Sequence, residues 1–368
     1  MKSILFLLML FLSLNISAQN FYRENFNKSK TYILLANPTV ANIETIKFLT
    51  DKKLLKINSR EVRFVGVYHK NQNHNFGESI HYIQQKGMPN FYFHEFRSPL
   101  NENKLFERNE LSDELELLFE NSAGVFFFGG PDIPPSVYNE KNTLSVITDP
   151  ERHYFELTFL FHLLGGFQDA EFNPLLEEKP DYFVTGFCLG LQTMNVATGG
   201  TLIQDIPEEV YDATTPEAIV NRGKENMHRN YWHKISDDPQ LAGINFHSIK
   251  FTQHPFFGKK VKVSKNTKPL VYSSHHQAVE KTGKDMEITA NSSDGKIVEG
   301  LAHSKYPNVF SVQFHPEVPA LYENGELLKI QPGDVPQTYH QMIGSESFEF
   351  HKKYWKYISK TLKKASRK

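Results

Sequence analysis

The stretch Tyr182-Phe183-Val184-Thr185-Gly186-Phe187-Cys188-Leu189-Gly190-Leu191-Gln192-Thr193-Met194-Asn195-Val196-Ala197 runs from an apolar, strand-like segment into a helix-like one that Gly199-Gly200 closes. The turn between them carries the only cysteine of the chain. A strand, a glycine-flanked nucleophile and a helix form the nucleophile-elbow pattern. The glycines suit it because a sharp, strained turn favours residues without a Cβ. The helix start suits it because its free N–H groups and positive end favour a thiolate and an oxyanion. A lone cysteine is also read as a small buried hydrophobe. Its place in a glycine-flanked turn points instead to chemistry.

Working outward, strands alternate with helices. Tyr32 to Ala36, Val62 to Val67, 91–94, Gly124 to Phe128 and Tyr182 to Thr185 read as strands. Segments 41–51, 78–86, 107–121 and 151–164 read as helices between them. The continuous apolar run Gly124-Val125-Phe126-Phe127-Phe128 is that of a strand covered on both faces. Such alternation implies an α/β fold with a mostly parallel, doubly wound sheet. Ligands then bind beyond the carboxyl ends of the strands, where the Cys188 turn and the Gly129-Gly130 turn both lie. Residues 205–257 are charged, irregular and rich in His and Asn, which suggests an excursion from the core that acts as a lid or specificity loop. Short runs at 259–263, 269–273, 286–290, 296–302 and 309–314 suit an antiparallel or mixed extension of the sheet. Residues 321–368 form a C-terminal extension, with Phe348, Tyr354, Trp355, Ile358 and Leu362 near one helical stripe and a solvated basic tail from Lys363.

The chain has 368 residues, enough for one large α/β domain or two small ones. A net charge of -1 gives no electrostatic case for nucleic acid or for an acidic membrane. At the N-terminus, Lys2, the apolar run Ile4 to Leu12 and the small residues Ser17-Ala18 read as a secretory signal over residues 1–18. The apolar run is short for a bilayer span, and no second one follows. The expectation is a secreted or periplasmic protein with no integral membrane segment after cleavage. A single cysteine excludes any disulfide within the chain, and in an oxidising compartment it is exposed to damage.

The downstream pentapeptide Gln313-Phe314-His315-Pro316-Glu317 supplies a candidate base. His315 would take the Cys188 proton and return it to a leaving amine. Side chains at i and i+2 share a face in extended backbone, so Glu317 is placed to orient the imidazole. For the oxyanion, the donors are the backbone N–H groups of Leu189, just after the nucleophile, and of Gly130. The alternative for Gly129-Gly130 is a plain turn before Pro131. Ser273-Ser274-His275-His276-Gln277 is a third polar island at a strand end, and His275 or His276 is a candidate for substrate contact. No metal is expected there, because adjacent histidines point apart in extended chain and no zinc-type spacing accompanies them. His69, His74, His81, His94, His228 and His233 are expected at the surface.

Taken together these islands resemble the class I glutamine amidotransferase-like superfamily, and within it the γ-glutamyl hydrolase branch that includes γ-glutamyl-γ-aminobutyrate hydrolases (peptidase C26). The matching pieces are Phe128-Gly129-Gly130-Pro131-Asp132-Ile133 with Tyr138, Asp149-Pro150-Glu151-Arg152 with Glu156, and Gly186 to Gln192 with Asn195, Gly199, Gly200, Leu202 and Gln204. Ser274 to Val279 and Val312 to Glu317 complete them, in the family's order, over roughly residues 30–320. The resemblance implies a flavodoxin-like three-layer α/β/α sandwich over residues 19–320. It also implies a Cys188–His315–Glu317 triad, a γ-glutamyl thioester on Cys188, a pocket shaped in part by Gln192, and no cofactor. The partner would be a small γ-glutamyl substrate, with a homodimer left open. The family branch is usually cytosolic and shorter, which leaves the leaving group undetermined. Two alternatives to an exported γ-glutamyl hydrolase stay open: a catalytically retired binding or regulatory protein, and a peptidase or acyltransferase acting on γ-linked glutamate in cell-wall peptides.

Overall fold

A computed structural model describes residues 21–24 and 26–366, so the expected signal over residues 1–18 lies outside the described residues. The strands in chain order are β1 (Thr31–Ala36), β2 (Val62–His69), β3 (Phe91–Phe96), β4 (Gly124–Phe127), β5 (Phe183–Phe187) and β6 (Leu202–Ile203). They continue as β7 (Asn245–Phe251), β8 (Leu270–Ser273), β9 (Ala278–Val279), β10 (Met286–Ser292), β11 (Val298–His303) and β12 (Val309–Val312). The helices are α1 (Phe21–Glu24), α2 (Val40–Asp51), α3 (Phe76–Gln85), α4 (Ser112–Glu120), α5 (Pro150–Leu164), α6 (Leu189–Ala197), α7 (Ile206–Tyr211), α8 (Pro216–Val220) and α9 (Tyr339–Ala365).

A ten-stranded sheet runs β3-β2-β1-β4-β5-β12-β11-β10-β7-β8. Its first six strands are mutually parallel, and the remaining ones continue antiparallel. β4 shows why the parallel half is so apolar. Phe127 points into a core with Leu115 of α4, Phe159 of α5 and Met194 of α6. Phe126 and Phe128 point into the opposite core, with Ile46 and Leu49 of α2 and with Tyr354, Trp355 and Ile358 of α9. Helices therefore cover both faces, and the fold is an α/β/α sandwich of flavodoxin-like type with a mixed, largely parallel sheet.

The structure departs from the sequence expectations in several places. The span 205–257 is not all excursion: α7, α8 and two 3-10 turns lie outside the sheet, but β7 pairs with both β10 and β8 inside it. Residues 259–263 are not a strand. Phe256–Val261 form a π-helix, which buries the adjacent Phe256 and Phe257 together. A strand would have turned one of them outward. Phe257 instead stacks on Phe251, at 4.4 Å between ring centroids, and Phe256 packs on Phe310. The helix expected from residue 107 starts at Ser112, because Asn109 and Ser112 satisfy local N–H groups with their side chains and hold the lead-in as a turn. His69, His94 and His228 are buried rather than exposed. His69 hydrogen-bonds the Ser98 carbonyl, and His94 pairs with Glu114, so strand alternation could turn both inward.

Register is what assembles the site. Val312 is level with Phe187, and Phe127 with Gly186, so the chain leaves β4, β5 and β12 at one edge and side by side. Gly186 makes the tight strand-to-helix turn possible: a Cβ there would lie 2.4 Å from the carbonyl carbon of Gly190 in the first turn of α6. Gly186→Ala should therefore lower unfolding stability by about 3 kcal/mol in chemical denaturation. Gly258→Ala, where nothing lies within 4 Å of the added carbon, is the control and should change stability by less than about 1 kcal/mol.

Candidate functional site

Cys188 sits between β5 and α6 with φ 52° and ψ -105°, a backbone conformation that costs a non-glycine residue on the order of 1–3 kcal/mol. Its own N–H donates to the Val312 carbonyl at 3.0 Å, which ties the elbow to the neighbouring strand. The tie holds the side chain at the start of α6, whose first residue is Leu189. The N–H groups of that first turn have no partner within the helix, which leaves the Leu189 N–H for a ligand oxygen.

His315 follows β12, and its backbone N–H donates to the Tyr272 carbonyl at 3.0 Å. Its Nδ1 is 2.7 Å from Glu317 Oε1, and the ring also hydrogen-bonds the Cys188 sulfur. Burial disfavours the imidazolium, but the Glu317 carboxylate and the Cys188 sulfur outweigh it and hold the His315 pKa well above its ordinary value. An imidazole held towards its charged form is the partner that a cysteine nucleophile calls for.

The Gly129-Gly130 turn closes the third side. A Cβ on Gly129 would stand 2.7 Å from His315 Cε1, so only glycine leaves the imidazole its place. The turn is fixed from below by Arg152, whose guanidinium donates to the carbonyls of Phe128 and Gly129 at 3.1 Å each and, through Nε, to Glu156 at 2.9 Å. Arg152 and Glu156 are both buried. With those carbonyls occupied, the group the turn can offer a ligand is the Gly130 N–H, and Gly130 borders the cavity.

That cavity, about 340 Å³, is lined by Gly130, Asp132, Cys188, Gln192, Arg229 and His276 among others. Gln192 uses its amide N–H to reach the Gln277 carbonyl at 3.1 Å and Gln313 at 3.3 Å, so it braces the wall. His275 and His276 point apart. His275 borders the cavity, but its Nδ1 is bound to the Gln277 carbonyl and its Nε2 is turned towards the buried Glu299. His276 lies between Asp205 and Asp132, at 3.0 Å from each. Burial lowers the pKa of His276, yet the two carboxylates carry it up to about 9. Among the described residues, a group of metal-type donors (His228, His247 and Glu299) lies behind His275, away from Cys188.

Several contributors are silent in the sequence. Arg229 lies in the irregular span, where no pattern singles it out, and the structure brings it to the cavity. Trp355 of α9 donates its Nε1–H to the Pro316 carbonyl at 2.9 Å, and the Tyr322 hydroxyl donates to the same oxygen. Both brace the segment between His315 and Glu317. The stripe on α9 marks Trp355 as buried, but nothing local announces its partner.

The Peptidase C26 family profile matches residues 64–317. A glutamine amidotransferase-like protein of Rickettsia prowazekii is 30% identical over 235 residues, which is 58% of this chain and 76% of that one. The γ-glutamyl-γ-aminobutyrate hydrolase of Escherichia coli O157:H7 is 26% identical over 204 residues, 55% of this chain and 67% of the relative. A solved structure of a GMP synthase subunit from Thermoplasma acidophilum aligns with 81% of this chain and 94% of its own, at a TM-score of 0.36 and 10% identity.

The charged His276 bridge has a consequence for pH. Its folded pKa exceeds the unfolded one, so its stabilisation is complete below about pH 6 and disappears as pH rises through about 9. A displacement of that size is worth about 3 kcal/mol. Wild type should accordingly melt higher than His276→Asn near neutrality, and thermal denaturation should show the difference vanish in alkaline buffer.

Proposed function

The chain belongs to the peptidase C26 family of class I glutamine amidotransferase-like hydrolases, and on that premise we propose that it is an exported cysteine hydrolase of γ-glutamyl amide bonds. The observation that carries the proposal is the alignment of Cys188, His315 and Glu317 at the head of α6, with a cavity in front of the sulfur.

In this account the Cys188 thiolate attacks the amide carbonyl carbon, and the N–H groups of Leu189 and Gly130 receive the oxyanion. His315 gives its proton to the departing amine, and Glu317 holds the ring in the orientation that allows it. A γ-glutamyl thioester remains on Cys188. Water, deprotonated by His315, attacks the thioester and restores the thiolate. The cavity supports a glutamyl group because it presents charges of both signs. Arg229 suits an α-carboxylate, and Asp132, which also lines the cavity, suits an α-ammonium. These steps call on no metal or organic cofactor. Export rests on the sequence of residues 1–18; among the described residues no helix is long and apolar enough to cross a membrane.

The test is hydrolysis of a chromogenic γ-glutamyl anilide by the protein from residue 19 onward. The wild type should release the aniline and leave the α-glutamyl isomer intact, and Cys188→Ala should lose at least about a thousandfold in rate while keeping its fold. Turnover by Cys188→Ala at the wild-type rate would remove the cysteine from the reaction.

A further inference from the structure

Behind the wall that carries His275, four side chains from separate parts of the chain converge. His228 comes from the irregular span, His247 from β7, His275 from the turn after β8 and Glu299 from β11. All four are buried, none more than 3% exposed. Glu299 Oε1 is 2.9 Å from His247 Nε2, 3.1 Å from His228 Nδ1 and 3.7 Å from His275 Nε2.

Hydrogen bonding accounts for only part of this arrangement, the 2.9 Å contact of His247 Nε2 with Glu299 Oε1. The His275 Nδ1 contacts the Gln277 carbonyl at 2.8 Å, and a carbonyl only accepts, so Nδ1 carries the proton. Its Nε2 faces the Glu299 carboxylate at 3.7 Å, too long for a hydrogen bond, and has no hydrogen-bond partner. His228 makes no well-directed hydrogen bond through either ring nitrogen, and Glu299 Oε2 has no partner. Buried polar atoms left in that state cost about 1–3 kcal/mol each.

We propose that His228, His247 and Glu299, whose donor atoms lie within 4.8 Å of one another, form a binding site for a first-row divalent transition-metal ion, with zinc the best fit and His275, 3.7 Å from Glu299 Oε1, the side chain next to the fourth position. Ligands at about 2.0–2.1 Å from a tetrahedral ion stand about 3.3 Å from one another. The three separations around Glu299 Oε1 bracket that edge length. Imidazoles with one carboxylate suit zinc and its neighbours, whereas calcium and magnesium take oxygen ligands. The bond from His275 Nδ1 to the Gln277 carbonyl is the outer contact that orients a ligating imidazole. Two ligands are also held in register by backbone: the His228 carbonyl accepts from Ser273 Oγ at 2.6 Å and from the His275 N–H at 3.1 Å.

Adjacency of His275 and His276 argues against a metal in the sequence. They do point apart, and the donors that join His275 come from distant positions with no motif spacing. Once His275 moves into the fourth position, four protein donors close the site and leave no open position for a reacting water, so it is structural. Its consequence is local. His228 precedes Arg229, and both Arg229 and His275 border the cavity, so the ion ties the irregular span and the cavity wall to the sheet. This inference does not depend on the substrate.

The experiment uses the untagged chain, stripped with chelator and titrated with Co²⁺ as a spectroscopic stand-in for zinc. The site predicts visible d–d absorption of tetrahedral type that saturates at one equivalent per chain, is displaced by Zn²⁺, and is absent in His228→Gln with unchanged circular dichroism. Zn²⁺ should also raise the melting temperature of the stripped wild type. Folded wild type that shows neither the absorption nor the shift would overturn the proposal, and so would a signal that survives in His228→Gln. Glu299→Gln, which keeps the side chain's size, gives the same reading if His228→Gln fails to fold.

Discussion

The hydrogen bond from the Cys188 N–H to the Val312 carbonyl is the contact on which the site depends. It joins the end of β5 to the end of β12 at the point where one chain turns into α6 and the other runs on to His315. Parallel pairing at Val312 and Phe187 sets how far each strand extends, so sulfur and imidazole meet because two strands stop level. A shift of register by one residue would turn every side chain of the strand to the other face. The strain at Cys188, on the order of 1–3 kcal/mol, persists only because burial on both faces of β5 over-determines the backbone. Phe187 packs against Phe126 and Trp355, and Phe183 against Phe126 and Phe310.

Around that contact the protein builds support from parts of the chain that never touch a ligand. Arg152 reaches up from α5 to hold the Gly129 turn, and Trp355 reaches across from α9 to hold Pro316. The C-terminal helix, kinked at Gly344, is thus part of the site's framework. The electrostatics are equally local. Glu317 favours the charged form of His315, and Asp132 with Asp205 that of His276, so two imidazoles about the same cavity are held towards the cation by different carboxylates.

How much of this is legible in the sequence follows from how local each signal is. The elbow, the phenylalanine run of β4 and the pentapeptide ending at Glu317 are short segments whose own composition requires their conformation. Alternation of strands with helices is therefore enough to place the sheet and the ends of β4, β5 and β12. Contacts between distant segments carry no such mark. His228 reads as one more surface histidine until β7 brings His247 beside it, and β7 itself is hidden in a polar span. The period-two pattern in Lys259 to Val263 reads as a strand and conceals the π-helix that buries Phe256 and Phe257. The pairing of Arg152 with the Phe128 and Gly129 carbonyls joins a helix start to a strand end, and local spacing cannot foretell it.

The central claim is that Cys188 becomes covalently acylated during turnover. Mass spectrometry after rapid acid quench of the protein with a γ-glutamyl anilide tests it most directly. The account predicts a γ-glutamyl mass increment on the peptide that contains Cys188, removed by hydroxylamine as expected of a thioester. Steady release of aniline with that peptide unmodified, or with the increment on another residue, would contradict it.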